Sequence, residues 1–368
     1  MPVTVSTPGK LILMGEHAVV YGRPALVAAV DLRLFARFSR GSEPGRLRIE
    51  LPGLAAGCDS AWPEVLGYAR QTRERWERYA AEPGPESFQA LRGADPIHLV
   101  KVALGEAAGS LPPLPAGGEE SLDLRVESHL PVGSGMGSSA AAAVAVVAGY
   151  LAWRGAGRGA GFDLPEIERL AHEVERRQHG TPSGVDAATV TRGGLLWARR
   201  RPEGETRGLA VEPLAARAGL LSRLAVYDTG TPAEATGAVV AAVRLRAAGD
   251  PRRHERLLDR IEEATRGLRA ELTAEAEDPR RVVELIRACE AGLEELGVVP
   301  EAVRERVRAV EAAGGAAKIS GAGALTGPAA GTLLAYHPEP DLLVRLPALA
   351  LPQYPVHLGA AGLRREET

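Results

Sequence analysis

Residues 131 to 140 read Pro-Val-Gly-Ser-Gly-Met-Gly-Ser-Ser-Ala and run directly into Ala-Ala-Ala-Val-Ala-Val-Val-Ala, ending at residue 148. Three alternate glycines give a flexible backbone, and the run that follows is an almost unbroken apolar helix former. The stretch reads as a glycine-rich turn at the mouth of a long helix. Leu122 to Ser128 alternates like a strand just before it. Strand, glycine turn and helix together present backbone N–H groups and the positive end of a helix dipole to an anion. Ser134, Ser138 and Ser139 add hydroxyls that can donate to phosphate, and Ser139 could ligate magnesium. The same residues also suit a tight turn that packs a helix against a sheet, and this stretch alone does not choose between the two. It is not a Walker A loop, because no Gly-x4-Gly-Lys-Ser/Thr occurs. The spacing Gly133-x-Gly135-x-Gly137 is wrong for a dinucleotide fold, and no acidic residue ends a second strand about 20 residues on. Protein-kinase signatures are absent.

The rest of the chain alternates strand and helix patterns. Val3 to Ser6, Lys10 to Met14, Ala25 to Val30 and Leu32 to Phe38 read as strands. Asp163-Leu-Pro-Glu166 is a helix start, with an apolar face of Ile167, Leu170, Ala171 and Val174 running to a stop at Gly180. The second half opens on strand-like Leu224 to Tyr227, continues with helices near 233–248, 251–273, 279–296 and 299–313, and reaches strand-like Thr332 to Tyr336. The Arg- and Glu-rich segment 199–217 reads as the passage between halves, which predicts domains at 1–205 and 206–368. The Pro/Gly-rich stretch 107–120 reads as a surface loop.

Composition excludes several classes. With 368 residues, 25% of them charged, and a net charge of −3, the chain has no basic field for nucleic acid or anionic lipid. The most apolar run, residues 139 to 153, is shorter than the roughly 20 residues a membrane helix needs, and the N-terminus lacks a signal-peptide pattern. Small-molecule partners and a cytoplasmic location are expected. Cys58 and Cys289 stand far apart without a ligand pattern, so neither a disulfide framework nor a zinc site is indicated. Asparagine is absent, and lysine occurs only at Lys10, Lys101 and Lys318, leaving 41 of 44 basic residues as arginine. GC-rich coding accounts for this better than thermal adaptation, since hyperthermophile proteins gain lysine.

Two more small-residue elements accompany the glycine turn. Near the N-terminus, Pro8-Gly-Lys-Leu-Ile-Leu-Met-Gly-Glu-His-Ala-Val-Val-Tyr-Gly22 sets Lys10, Glu16 and His17 among strand residues and turn glycines; near the C-terminus stands Lys318-Ile-Ser-Gly-Ala-Gly323. In order and spacing the three resemble the motifs of the GHMP small-molecule kinases, over the whole chain. The first stretch is similar to the branch that phosphorylates mevalonate. Glu175-Arg-Arg-Gln-His-Gly-Thr-Pro-Ser-Gly-Val-Asp186 is similar to that branch's acidic segment. Read physically, Glu175 ends an amphipathic helix, and a turn at 181–184 lifts Asp186 to the start of the next helix, so the two carboxylates can converge. Read by themselves, the pair are more often a helix-end charge and a cap.

The resemblance implies a two-domain α+β fold, with a ribosomal-protein-S5-like N-terminal domain that binds ATP, a ferredoxin-like C-terminal domain and the active site in the cleft between them. It implies transfer of the ATP γ-phosphoryl group to the 5-hydroxyl of mevalonate, on the route to isoprenoids. Ser128, Gly133, Ser134, Gly135, Met136, Gly137, Ser138 and Ser139 would bind ATP, and Ser139 and Glu175 would ligate Mg2+. Asp186 and Lys10 would be catalytic. Lys10, Glu16, His17, Asp186 and Thr236 would face mevalonate, Thr236 through an alignment needing a one-residue insertion. A homodimer is compatible with the resemblance. His129, His172 and His254 are read as structural.

Two departures from the family pattern stand out. The run of glycines usual after Gly-Ala-Gly is replaced by Gly323-Ala-Leu-Thr-Gly-Pro328, which puts phosphate contacts from that loop in doubt. The usual asparagine before Pro-Ser-Gly is Thr181. The rival classes are another GHMP kinase, above all one acting on phosphomevalonate, and a non-catalytic ligand-binding relative. The second would be expected to lose the acidic residues that this chain keeps.

Overall fold

Strand β1 (Val3–Met14) and strand β2 (Pro24–Arg40) pair antiparallel along nearly their whole length, from Val3 opposite Phe38 to Met14 opposite Leu26. Each merges two segments that read as separate strands in the sequence, parted by Thr7-Pro8-Gly9 in β1 and by Asp31 in β2. A register shift between Pro8 and Gly9 absorbs the missing donor, so pairing resumes beyond it. The computed structural model describes residues 2–92, 94–112, 121–131, 133–155, 161–200, 208–216 and 218–367.

Next in the chain come β3 (Arg46–Leu51), β4 (Ala56–Ala61), and helices α1 (Trp62–Ala81), α2 (Pro85–Arg92) and α3 (His98–Gly109). Residues 107–109 thus end a helix rather than belonging to the expected loop, and 113–120 lie outside the described residues. Strand β5 (Leu122–Ser128) leads through the glycine turn to α4 (Ser138–Trp153), followed by α5 (Leu164–His179), α6 (Val185–Arg192), β6 (Leu195–Arg200) and β7 (Leu209–Leu214). Helix α4 is apolar on all sides and is buried accordingly, with β1 and β2 against one side and α3 and α5 against the other.

The second half contains α7 (Ala218–Ser222), β8 (Leu224–Asp228), α8 (Thr236–Gly249), α9 (Pro251–Thr273), α10 (Pro279–Leu296), α11 (Glu301–Ala312), β9 (Ala316–Ser320), β10 (Thr332–Tyr336), α12 (Asp341–Arg345) and β11 (Gln353–Tyr354). Its four-stranded antiparallel sheet runs β11-β8-β10-β9. Helices α9 and α10 each open on an Asp-Pro step: Asp250 accepts from the Arg253 N–H at 3.0 Å, and Asp278 from the Arg280 N–H at 2.9 Å.

The chain then returns to the first sheet as β12 (Arg364–Glu366), giving eight strands in the order β12-β1-β2-β5-β3-β4, with β6 on the start of β2 and β7 on β6. The division expected at residue 205 is therefore not where the sheets part, since residues 209–214 and 364–366 both belong to the first. Among the described residues no helix is long and apolar enough to cross a membrane.

Candidate active site

The Lys10 backbone N–H donates to the Met136 carbonyl at 3.0 Å, which draws β1 under the glycine turn. The lysine stem then runs past Gly137, whose φ is +74°. A Cβ on Gly137 would stand 2.7 Å from the Lys10 Cγ, so glycine is required there for space as well as for conformation. Lys10 is 3% exposed, and its Nζ lies 3.2 Å from Oδ1 of Asp186.

Asp186 occupies the first turn of α6, after the glycine turn at 184 that the sequence predicts. Its side chain is one third exposed and faces the cleft. Glu175, near the end of α5, is wholly buried beside it, and its Oε2 has no hydrogen-bond partner. Burial and then the neighbouring Asp186 charge push the Glu175 carboxyl above the usual range, against the pull of Lys10 and a hydrogen bond from the Ala187 backbone. The two carboxylates thus meet from different helices.

These groups open onto a cleft of about 510 Å³ between the two halves. Gly133, Gly135, Gly137, Ser138 and Ser139 line one wall. Helix α4 starts at Gly137 with no side-chain cap, so its first-turn N–H groups have no capping side chain as competitor. His17 lines the cleft from the first half. Its Nε2–H donates to the Ala322 carbonyl at 2.9 Å, and burial holds its pKa below the ordinary value, which keeps the ring neutral. Thr236, the first residue of α8, lines the cleft from the second half.

Four expected site residues turn their side chains elsewhere. Ser134 is buried: its hydroxyl donates to the Pro131 carbonyl at 3.1 Å, and its own carbonyl accepts from the N–H and hydroxyl of Thr332, at 3.0 and 2.7 Å. That residue pins the turn to β10. Met136 packs into the hydrophobic core. The Ser128 hydroxyl accepts from the Leu130 N–H at 3.0 Å and stands outside the cleft lining. Glu16, expected at the substrate, is fully buried against Lys318 and does not line the cleft either.

Other cleft residues escaped the sequence reading. His179 Nε2 lies 3.0 Å from the Ser139 hydroxyl; standing four residues after Glu175, it shares that residue's helix face, which was the signal available. Thr181, Thr231, Glu234 and Ser320 also line the cleft. In the third small-residue stretch, Ser320 to Gly323 reach the cleft. The part bearing side chains turns away: Glu234 accepts from the Leu325 N–H at 2.9 Å and from the Thr326 hydroxyl at 2.5 Å. Of the other histidines, His172 is held to a pKa of about 4 by burial and the nearby Arg176 and Arg200, and His254 is buried against Tyr21.

The family described as GHMP kinases N terminal domain matches residues 98–194, a span holding the glycine turn, α5 and Asp186. This match, together with a relative 31% identical over most of the chain, places the protein in the GHMP class of kinases. Mevalonate kinase of Mus musculus is 31% identical over 350 residues, covering 87% of this chain and 83% of that protein. Mevalonate kinase of Bos taurus is 34% identical over 273 residues, covering 66% of this chain and 62% of that protein. The chain belongs to the mevalonate kinase family. A solved structure of L. major mevalonate kinase in complex with R-mevalonate shares the fold with a TM-score of 0.65 at 22% identity, over 97% of this chain and 96% of that one.

Proposed function

We propose that this protein transfers the γ-phosphoryl group of ATP to the 5-hydroxyl of mevalonate, giving ADP and 5-phosphomevalonate. The observation that carries the reading is the Lys10–Asp186 pair, 3.2 Å apart and facing the glycine turn at the mouth of α4. Phosphoryl transfer passes through a loose transition state, so a protein catalyses it by positioning reactants and balancing charge. The N–H groups at the start of α4 receive the ATP phosphates. Asp186 orients the 5-hydroxyl and takes its proton as the new O–P bond forms and the bond to the ADP oxygen breaks. The Lys10 ammonium offsets negative charge on the transferring group and favours the alkoxide. His17 and Thr236 hold mevalonate from opposite walls.

The donor set also suits Mg2+. Glu175 carries a buried oxygen without a partner, and Ser139 brings a hydroxyl to the same cleft. Among the described residues no group of three or more His, Cys, Asp or Glu side chains forms a metal cage, which is the usual situation for Mg2+ held by one or two carboxylates and the phosphates themselves. Bound there, the ion would neutralise phosphate charge.

An assay of ADP release with mevalonate, 5-phosphomevalonate, galactose and homoserine tests the reading. Mevalonate should give the highest kcat/KM, and a preference for any of the other three would overturn it.

A further inference from the structure

The first and third small-residue stretches meet along a seam that runs from the wall of the cleft, at Ile12, His17, Ser320 and Ala322, back to the buried Lys318 and Glu16. Three alternate residues of β9 and its extension face the end of β1. The Ser320 hydroxyl donates to the Ile12 carbonyl at 3.0 Å and accepts from the Ile12 N–H at 3.2 Å. The Lys318 ammonium pairs with Oε1 of Glu16, and the Ala322 carbonyl accepts from His17 Nε2–H. Lys318 and Glu16 are both fully buried, and Lys318 Nζ also donates to the Ile319 carbonyl at 2.6 Å. Of these side chains, those of Lys318 and Glu16 stand outside the cleft lining, whereas His17 is part of it.

His17 has a φ of +57°, one of two non-glycine residues among those described with a positive value. Such a conformation persists where the surroundings over-determine it, and sites of this kind cluster where geometry matters for function. What holds it is the seam: Glu16 is anchored immediately before it, and its own ring is anchored on Ala322. A buried ion pair is a poor device for stability alone, because apolar residues of similar size often do as well or better.

Building on the phosphoryl-transfer reading above, we propose that Lys318 is a positioning residue: through Glu16 it holds the turn at residues 15–17, and with it the His17 ring, at the wall of the cleft where the alcohol substrate binds. Lys318 touches no reactant. Its contribution is to the placement of the acceptor, so its removal should weaken use of mevalonate while the nucleotide wall, built on α4, stays intact.

The test compares wild type, Lys318→Met and Lys318→Met/Glu16→Gln by thermal unfolding, steady-state kinetics with mevalonate, and equilibrium binding of ATP. The single variant leaves a buried carboxylate uncompensated and should lose Tm. The double variant removes both charges and should regain most of that loss. If the pair positions the acceptor, the double variant still shows kcat/KM for mevalonate at least about tenfold below wild type while ATP affinity stays within about twofold. Wild-type kcat/KM in the double variant would show that the pair serves stability alone and would overturn the proposal. A parallel collapse of ATP affinity would overturn it too, by showing a general loss of the fold. Wild-type protein that releases no ADP with mevalonate would instead overturn the functional reading, before any variant is compared.

Discussion

Arginine fills nearly every basic position in this chain, so the surroundings of each surviving lysine show whether arginine could serve there. At Lys10 the space is tight: the stem is pressed against Gly137, where a single added carbon would stand 2.7 Å away, and the side chain that reaches Asp186 is only 4% exposed. A planar guanidinium is bulkier and directs its donors as a fork. Lys10→Arg should therefore cost about 2 to 4 kcal/mol of transition-state stabilisation, the scale of one preorganised electrostatic donor. The Lys101 side chain is only 17% exposed, paired with Asp95 at 2.8 Å and lying over the Tyr68 ring, and it is absent from the cleft lining. Lys101→Arg should change kcat/KM by less than about twofold, because such a pair contributes little that arginine cannot replace. Steady-state kinetics of both variants would decide, and wild-type kcat/KM in Lys10→Arg would remove Lys10 from the reaction. Asp186→Ala should lower kcat by at least about 10²-fold, the low end of general-base contributions, with ATP binding nearly unchanged. Near-normal turnover would assign the base elsewhere. Lys10, Asp186 and the turn glycines were legible because their residue types are unusual in their settings. Glu16 was not, because a motif gives the order of side chains but not which side of a strand end each one faces.

Helices and strands were legible where their boundaries carry chemistry. The Asp-Pro starts of α9 and α10 stand where the sequence puts them, and β5 keeps its expected limits. Strand β4 went unseen because Ala-Gly-Cys-Asp-Ser-Ala has none of the branched or aromatic residues that mark a strand; it forms because β3 offers it a partner. Helix α10 hides a further feature. Its Glu290 is buried with Oε2 accepting from the Ile319 N–H at 3.1 Å and Oε1 unpartnered; burial pushes its pKa up to about 8, with Lys318 pulling the other way. The carboxyl is thus protonated in the folded chain at a pH where the unfolded chain has lost the proton. Stability from this group is fully present below the unfolded value near 4.5 and is lost as pH rises toward 8. Glu290→Gln keeps an acceptor for Ile319 and cannot ionise. Its Tm should match wild type near pH 5 and exceed it near pH 8. Parallel Tm-against-pH curves for the two proteins would contradict this placement of the proton.

At the scale of the molecule, the end of the chain reaches back to the helix that carries Asp186. Arg33 on β2 donates to the Ala361 and Gly362 carbonyls at 2.7 and 2.8 Å, and the Leu363 N–H donates to the Thr191 carbonyl near the end of α6 at 3.0 Å. Glu366 bonds Ser6, and Gly193 bridges Ala361. This strap was invisible in the sequence, because Ala-Ala-Gly-Leu has no pattern beyond that of a loop and its partners lie some 170 and 330 positions away. Gly362 lies close against α6: a Cβ there would stand 2.3 Å from the Thr191 carbonyl oxygen and 2.5 Å from the Arg192 backbone. Both neighbours are backbone and cannot swing aside, so Gly362→Ala must shift either the strap or the C-terminal end of α6. Overpacking of this kind typically costs about 1 to 3 kcal/mol, and urea unfolding should show a loss on that scale. Asp186 sits at the other end of the same short helix, so a shift of α6 should also lower kcat, whereas a shift of the strap alone should leave kcat near wild type. Stability within about 0.5 kcal/mol of wild type, the range of an ordinary surface change, would mean that the strap yields freely and does not brace the helix.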